Sequence, residues 1–407
     1  MMLSSHLART GRAASDSLGF FHPVSPLADA GLSSAGQRRA AGGLTTHISM
    51  IGREARRAMA MTVQKMLRAL VGAVALSIAG LPASSPSQAL ELKVADSFPA
   101  GHYLVRLMLK PWMDDVTRRT NGAVTFSYFP NQQIGKAADM LRLTQSGVID
   151  IGYIAPSYAS DKMPLSEVAQ LPEVFQTSCQ GTLAYWKSAR QGVLAKQEYA
   201  PNRIRLLMEV VLPPYQVFTT RQKIGSIGDL QGLKLRTTGG AQDLTLRAIG
   251  AVPVRMAAPD AYESLSRGTL DGLVFPMESI SSYGLDKLVK HATEGVSFGS
   301  FIVAFSINQA AWDNLADDVR QAMDQASEAI EPTACAEVDR EQVGSRQRLE
   351  QAGVSFEPIP DQARAEIKAR LKDVGQQWAA ALDGRGKPAS AALQEFNALL
   401  AEGGAGK

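Results

Sequence analysis

Cysteine and histidine are scarce in this chain: two and five residues, respectively, among 407. Three of the histidines precede residue 90, so His102 and His291 are the only ones left for chemistry beyond that point. Neither Cys179 nor Cys335 sits in a Cys-x-x-Cys pair or beside a histidine, which removes the usual zinc and thiol-redox arrangements. A His-Glu-x-x-His helix and a Gly-x-Gly-x-x-Gly turn after a strand are also missing. On this pattern no catalytic residue, metal or cofactor is expected, and the chain reads as something other than an enzyme. Long apolar runs are absent as well. The one at residues 69–81 falls short of the roughly 20 residues that a spanning helix needs.

That short run has another meaning. Lys65 and Arg68 precede it and Ser87-Gln88-Ala89 follows, the order of a basic region, an apolar core and small residues at a peptidase site. A secretory signal peptide cleaved after Ala89 is therefore expected, with a periplasmic mature protein. Residues 1–58, rich in Ala, Gly, Ser and Arg, read as an over-called start or an N-terminal extension. The chain is +3 overall, but residues 1–89 hold nine Lys/Arg against three Asp/Glu, which leaves the remainder near −3. No basic stripe with interleaved aromatics remains, so nucleic acid is not an expected partner. Export would permit a Cys179–Cys335 disulfide, worth roughly 5 kcal/mol in the loop-entropy model. Sequence does not bring the two together, and separate buried thiols are the favoured reading.

A repeat organises the remainder of the chain. Residues 140–154 (MLRLTQSGVIDIGYI) and 262–276 (YESLSRGTLDGLVFP) each read as a helix end, a glycine, two spacers, an aspartate and an apolar strand. Gly147 and Gly268 are 121 residues apart, once in each half of the globular part. Around the first copy, strands at 92–95, 124–129 and 149–154 alternate with helices at 102–119 and 136–145. Around the second, strands at 233–236 and 252–254 and helices at 242–249 and 260–267 repeat the order, with Asp260 as a plausible N-cap. Connecting strands at 205–211 and 216–220 flank Pro213-Pro214. An apolar strand at 301–307 leads to a helix at 315–352, on the order of 50 Å long, with Val319, Met323, Ala326 and Ile330 on its buried face and Pro332 bending it. The tail, 361–402, reads as helical, anchored by Trp378 and broken at 384–388. Asp150 and Asp271 hold identical places after a glycine turn and read as turn-forming groups rather than a catalytic pair.

Several short motifs occur in a fixed order: Thr120-Asn121-Gly122, Pro130-Asn131-Gln132-Gln133-Ile134-Gly135, Gly147-Val148-Ile149-Asp150, Leu171-Pro172 before Phe175, Asp229-Leu230-Gln231-Gly232-Leu233-Lys234-Leu235-Arg236, and Gly268-Thr269-Leu270-Asp271-Gly272. Over residues 90–350 this set resembles the substrate-binding proteins of tripartite ATP-independent periplasmic (TRAP) transporters, the DctP-like family. The resemblance implies an α/β fold of two-lobed periplasmic-binding-protein architecture, with hinge strands and a long helix spanning both lobes. Residues 1–89 would then be extension and signal peptide, 90–213 the first lobe and 214–300 the second. Residues 301–407 would hold a hinge strand, the interlobe helix and C-terminal helices on both lobes. It also implies capture of an organic acid by cleft closure and delivery to membrane permease subunits. An ATP-driven importer's binding protein and an α/β enzyme acting on a carboxylate are the alternatives.

In that family the arginine ending the Gly-Leu-Lys-x-Arg strand clamps the ligand carboxylate, and Arg236 occupies the matching place. Independently, Arg236 closes a strand at the edge where open α/β sheets bind ligands, and a guanidinium fork suits a carboxylate. Relatives often carry further polar groups where this chain has Tyr215-Gln216 and Phe275, so Gln216 would give a neutral hydrogen bond and Phe275 an apolar wall. A ligand with one carboxylate and an aromatic or hydrophobic body is thus favoured over a C4-dicarboxylate. Tyr153, Tyr215, Phe275 and Phe298 lie at strand ends or hinges, where they stack on a ligand or fill the core. His102 starts the first helix, as a cleft donor or a histidine satisfied locally. Glu173 departs from the apolar residue usual in the Leu-Pro-Phe-like motif.

Overall fold

The computed structural model describes residues 89–404, together with 59, 61 and 63–66. The chain divides into a unit at 1–83 and another at 84–407, and the two-lobed α/β fold is that of the second. The apolar run at 69–81, and with it the signal-peptide reading, lies outside the described residues. Among the described residues no helix is long and apolar enough to cross a membrane.

β1 (Leu90–Ala95) leads through a π-helical turn at Val105–Leu109 into α1 (Lys110–Arg119). Leu104, Met108, Trp112 and Val116 repeat every four residues along this stretch, and each is at most 1% exposed, so the expected apolar face is the buried one. β2 (Val124–Phe129), α2 (Met140–Gln145) and β3 (Ile151–Ile154) complete a β-α-β-α-β unit, followed by α3 (Ser178–Gln191) and β4 (Ile204–Val211). β5 (Gln216–Thr219) opens the second lobe, and β6 (Lys234–Thr237), α4 (Ala241–Ala248), β7 (Val252–Arg255), α5 (Ala261–Ser266), β8 (Gly272–Phe275), α6 (Met277–Ile280) and β9 (His291–Glu294) build it. β10 (Ile302–Asn308), α7 (Asp317–Gln351), β11 (Ser355–Pro358), α8 (Asp361–Leu371), α9 (Val374–Asp383) and α10 (Ala389–Gly404) finish the chain.

The sheets run β2-β1-β3-β10-β4 and β7-β6-β8-β5-β9-β11. In each, the first three strands are parallel and the fourth is antiparallel, yet the fourth comes from opposite ends of the repeat. β10 returns to the first lobe after the second is built, whereas β5 enters the second before its repeat begins. The chain therefore crosses between lobes on two segments that pair with each other. The Leu212 N–H donates to Phe301 O at 2.8 Å, Tyr215 N–H to Gly299 O at 2.8 Å and Phe298 N–H to Tyr215 O at 3.1 Å. α9 packs on α4 and α10 on α3, so the closing helices touch both lobes.

The repeated cassette proves to be one device used twice. Gly147 (φ +72°) and Gly268 (φ +70°) adopt the left-handed conformation that ends a helix, a place where a side chain costs energy. Val148 N–H reaches back to Leu143 O and Thr269 N–H to Ser264 O, at 3.1 and 3.0 Å. Each aspartate then brackets the neighbouring strand. The Asp150 N–H donates to Lys93 O while its carboxylate accepts Lys93 N–H at 2.8 Å. Asp271 does the same with Lys234, again at 2.8 Å. These aspartates are structural, as expected, but what they hold is the strand register more than the turn.

Two local expectations are corrected. Cys179 and Cys335 are joined in a disulfide, with Cα atoms 4.8 Å apart, where separate thiols were favoured. The cause is α3, which lacks a strong apolar stripe and leaves little trace in the sequence pattern. It lies against α7 because the Asp339 carboxylate of α7 caps its first turn, accepting from Ser178 N at 2.7 Å and Cys179 N at 3.2 Å. One helical turn before Asp339 stands Cys335, opposite Cys179. Asp260, in turn, makes no side-chain cap, since α5 starts from a 3-10 turn at Ala258–Asp260 that already satisfies its first backbone groups. α7 runs unbroken through Pro332 for 35 residues, roughly 52 Å at the usual rise.

Candidate functional site

Between the lobes and beside the hinge lies a small cavity. The first lobe lines it with Phe98, His102, Tyr153 and Tyr158, the hinge with Tyr215 and Phe301, and the second lobe with Arg236, Phe275, Ser279 and Tyr283. Its walls are therefore largely aromatic, and Arg236 is the one cationic side chain among its described lining residues.

Arg236 projects from β6, paired on both sides by β7 and β8, and is 1% exposed. Its Nε donates to Met256 O at 3.1 Å and its Nη2 to Tyr158 Oη at 3.1 Å. The guanidinium carbon lies 4.9 Å from the centre of the Phe275 ring. Of five guanidinium N–H groups, these two bonds use two. Among the described residues no carboxylate pairs with it. A buried cation without a counter-charge is costly, and an anion in the cavity removes that cost. In the first lobe the residue aligned with Arg236 through the Lys93 and Lys234 brackets is Ala95, so one lobe brings the charge and the other leaves room.

Tyr158 faces Arg236 from the other lobe. Its hydroxyl accepts from Arg236 and from Ala258 N at 3.0 Å, which leaves its own O–H free to donate. Burial raises the Tyr153, Tyr215 and Tyr283 hydroxyls well above their usual range, so they too stay neutral donors. Asp96 holds the loop that presents Phe98, accepting from Phe98 N at 3.0 Å and from Tyr128 Oη at 2.6 Å. His102 is buried and stacked on Phe98 with ring centres 4.5 Å apart. Its Nδ1 accepts Leu104 N–H at 3.3 Å, so the neutral ring carries its proton on Nε2. Burial lowers its pKa to about 3.

Further bonds hold the lobes together away from the cavity. Arg255 Nη2 donates to Ser157 O at 2.6 Å, and Ala241 N, the first N–H of α4, donates to Glu167 Oε2 at 3.2 Å. Glu167 is nearly fully buried, which raises its pKa to about 7 against the hydrogen bonds that lower it.

Of the residues singled out in the sequence, Arg236, Phe275, Tyr153, Tyr215 and His102 come together at this cavity, and Gln216 and Phe298 do not. Gln216 follows Tyr215 directly, and successive residues of an extended chain face opposite ways. Its side chain accepts from Thr293 Oγ1 at 3.3 Å in a separate surface groove beside Arg346 and Phe356. Phe298 is fully buried in the core, and Phe301 takes the hinge position at the cavity. Glu173, the departure from the apolar motif, forms an ion pair with Lys368 at 2.6 Å and accepts the Ser297 N–H at the hinge.

Tyr158, Ser279, Tyr283 and Phe301 were missed. For two of them the signal was present: at the 121-residue offset of the repeat, Tyr158 and Ser279 are equivalent positions, four residues past the ends of β3 and β8. Following the cassette that much further would have found both.

The family model for bacterial extracellular solute-binding protein, family 7 (DctP), matches residues 95–381. The C4-dicarboxylate-binding periplasmic protein DctP of Rhodobacter capsulatus is 26% identical over 330 residues, covering 78% of this chain and 95% of the relative. A TRAP periplasmic solute-binding protein of Bordetella bronchiseptica, solved with bound (R)- and (S)-mandelate, superimposes with a TM-score of 0.70 at 28% identity, covering 77% of this chain and 99% of that one. A TRAP solute-binding protein of Rhodoferax ferrireducens with copurified benzoate gives a TM-score of 0.72 at 24% identity, covering 77% and 98%. The chain belongs to the DctP family of bacterial extracellular solute-binding proteins, whose members carry solutes for transport and are not enzymes.

Proposed function

We propose that this protein captures an aromatic monocarboxylate in the periplasm and delivers it to the membrane permease subunits of a TRAP transporter. The observation that carries the reading is Arg236, a buried guanidinium with no carboxylate partner among the described residues, set in a wall of aromatic rings. A ligand carboxylate placed against its unused N–H groups, with Tyr158 donating from the other lobe, would tie the lobes together through the ligand. The ring would then lie among Phe98, Tyr153, Tyr215 and Phe275. A C4-dicarboxylate, in the name of the Rhodobacter relative, would bring a second anion, and no second cation is among the described lining residues to receive it. Mandelate, held by the Bordetella relative, has one carboxylate and one ring. Periplasmic residence is supported by the signal-like segment at 59–89 and by the disulfide, which persists in oxidising compartments.

Titration calorimetry with benzoate, phenylacetate and mandelate against succinate and malate tests the reading. Micromolar or tighter binding of the aromatic acids, with little or none of the diacids, is the expected result. Tighter binding of succinate than of any aromatic acid would overturn it.

A further inference from the structure

The cavity has a second polar corner that contains no charge. His102 Nε2 lies 3.4 Å from Ser279 Oγ, the first from one lobe and the second from the other. Because Nδ1 is already an acceptor for Leu104 N–H, Nε2 is the donor in this pair and Ser279 Oγ the acceptor. The Ser279 hydroxyl therefore has its own proton still to place. Among the described residues no acceptor takes the Ser279 O–H, which stands at the edge of a mostly apolar cavity. A buried donor without an acceptor is unfavourable, and here the ligand is the group that can supply one.

We propose that His102 and Ser279 form an uncharged recognition point, separate from Arg236, that takes a hydroxyl or carbonyl oxygen carried on the body of the acid. The inference rests on the monocarboxylate reading and adds the feature that distinguishes one such acid from another. The ring of His102 is fixed by its stack on Phe98 and by the Leu104 N–H, so the corner is preorganised and needs no rearrangement to engage an oxygen. Because the imidazole is neutral, it offers no countercharge to a second carboxylate, and a neutral oxygen is the chemistry it accepts. The equivalence of Ser279 and Tyr158 within the repeat gives each lobe one hydroxyl at the same structural address, Tyr158 at the carboxylate end and Ser279 at this corner.

The test is calorimetry with benzoate, its three monohydroxylated isomers, phenylacetate and mandelate, on the native protein and on Ser279→Ala. At least one hydroxylated acid should bind the native protein about tenfold tighter than its unsubstituted parent, the benefit of one well-placed neutral hydrogen bond. In Ser279→Ala that ratio should fall to within about twofold, whatever the change in the parent acid's own affinity. If no hydroxylated acid outperforms its parent, or if the preference survives in Ser279→Ala, the corner is not a recognition point, although Arg236 can still be the clamp. If none of these acids binds the native protein, the monocarboxylate reading fails and this inference fails with it.

Discussion

Removing the Cys179–Cys335 bridge should lower thermal stability without changing ligand affinity. The two cysteines are 156 positions apart, so the bridge denies the unfolded chain a very large loop. The entropy model puts this near 5 kcal/mol, and measured disulfides more commonly contribute 2 to 4 kcal/mol. With about 2.1 cal/mol/K of unfolding entropy per residue and roughly 300 residues in the folded unit, 2 to 5 kcal/mol corresponds to roughly 3 to 8 °C in Tm. Cys335 is fully buried, so a Cys179→Ala/Cys335→Ala double variant is a cleaner perturbation than added reductant. Scanning calorimetry of the two proteins measures the shift. The bridge joins α3 to α7, whereas Arg236 and Phe275 stand on the second sheet, so affinity for a bound acid should stay within about twofold. An unchanged Tm, or two free thiols titrated in the unreduced, denatured native protein, would refute the reasoning.

Two further predictions concern the lobe contacts. Glu278 on α6 is 4% exposed, neither of its carboxyl oxygens has a partner, and burial raises its pKa to about 8. The unfolded carboxyl titrates near 4.5. Its contribution is therefore fully present at pH values below that and is lost as pH climbs through about 8. Glu278→Gln should thus flatten the alkaline fall of Tm between pH 6 and 9, sparing roughly 2 to 4 kcal/mol at the upper end, and an unaltered pH profile would count against the assignment. A Cβ placed on Gly240 (φ +56°) would collide with the Glu167 carboxylate that holds α4 from the opposite lobe. Gly240→Ala should weaken ligand binding by roughly tenfold, through about 1 to 2 kcal/mol of backbone strain plus the lost cross-cleft bond. Calorimetry alongside the radius of gyration of the ligand-bound protein separates that outcome from simple unfolding.

How far the sequence leads depends on whether a feature is periodic or relational. The apolar face of Leu104, Met108, Trp112 and Val116 follows from spacing alone, and the strands around Gly147 and Gly268 follow from their turn chemistry. Arg236 was singled out chiefly through the resemblance of its Gly-Leu-Lys-x-Arg strand to the family, with its place near the carboxyl end of β6 pointing the same way. The disulfide was not, since it depends on α3 docking against α7 through Asp339, an encounter across 160 residues that no local pattern encodes. Gln216 went astray for a related reason. Its strand was correctly located, but which of two neighbouring residues faces the cavity depends on how the hinge segments pair. Tyr158 and Ser279 were within reach through the repeat, but they lie past the strand ends, where the two copies no longer resemble each other residue by residue.

Arg236 is the residue on which the ligand assignment depends, and its replacement tests that assignment most directly. Isothermal titration of an aromatic monocarboxylate into native, Arg236→Lys and Arg236→Ala protein, each checked for folding by circular dichroism, is the measurement. Loss of the guanidinium should cost on the order of 2 to 5 kcal/mol, roughly 30-fold to several thousand-fold in affinity, because the carboxylate is left buried and unpaired. Lysine should recover part of that loss by supplying the charge without the planar fork. A folded Arg236→Ala protein that binds the acid as tightly as the native one would contradict the account.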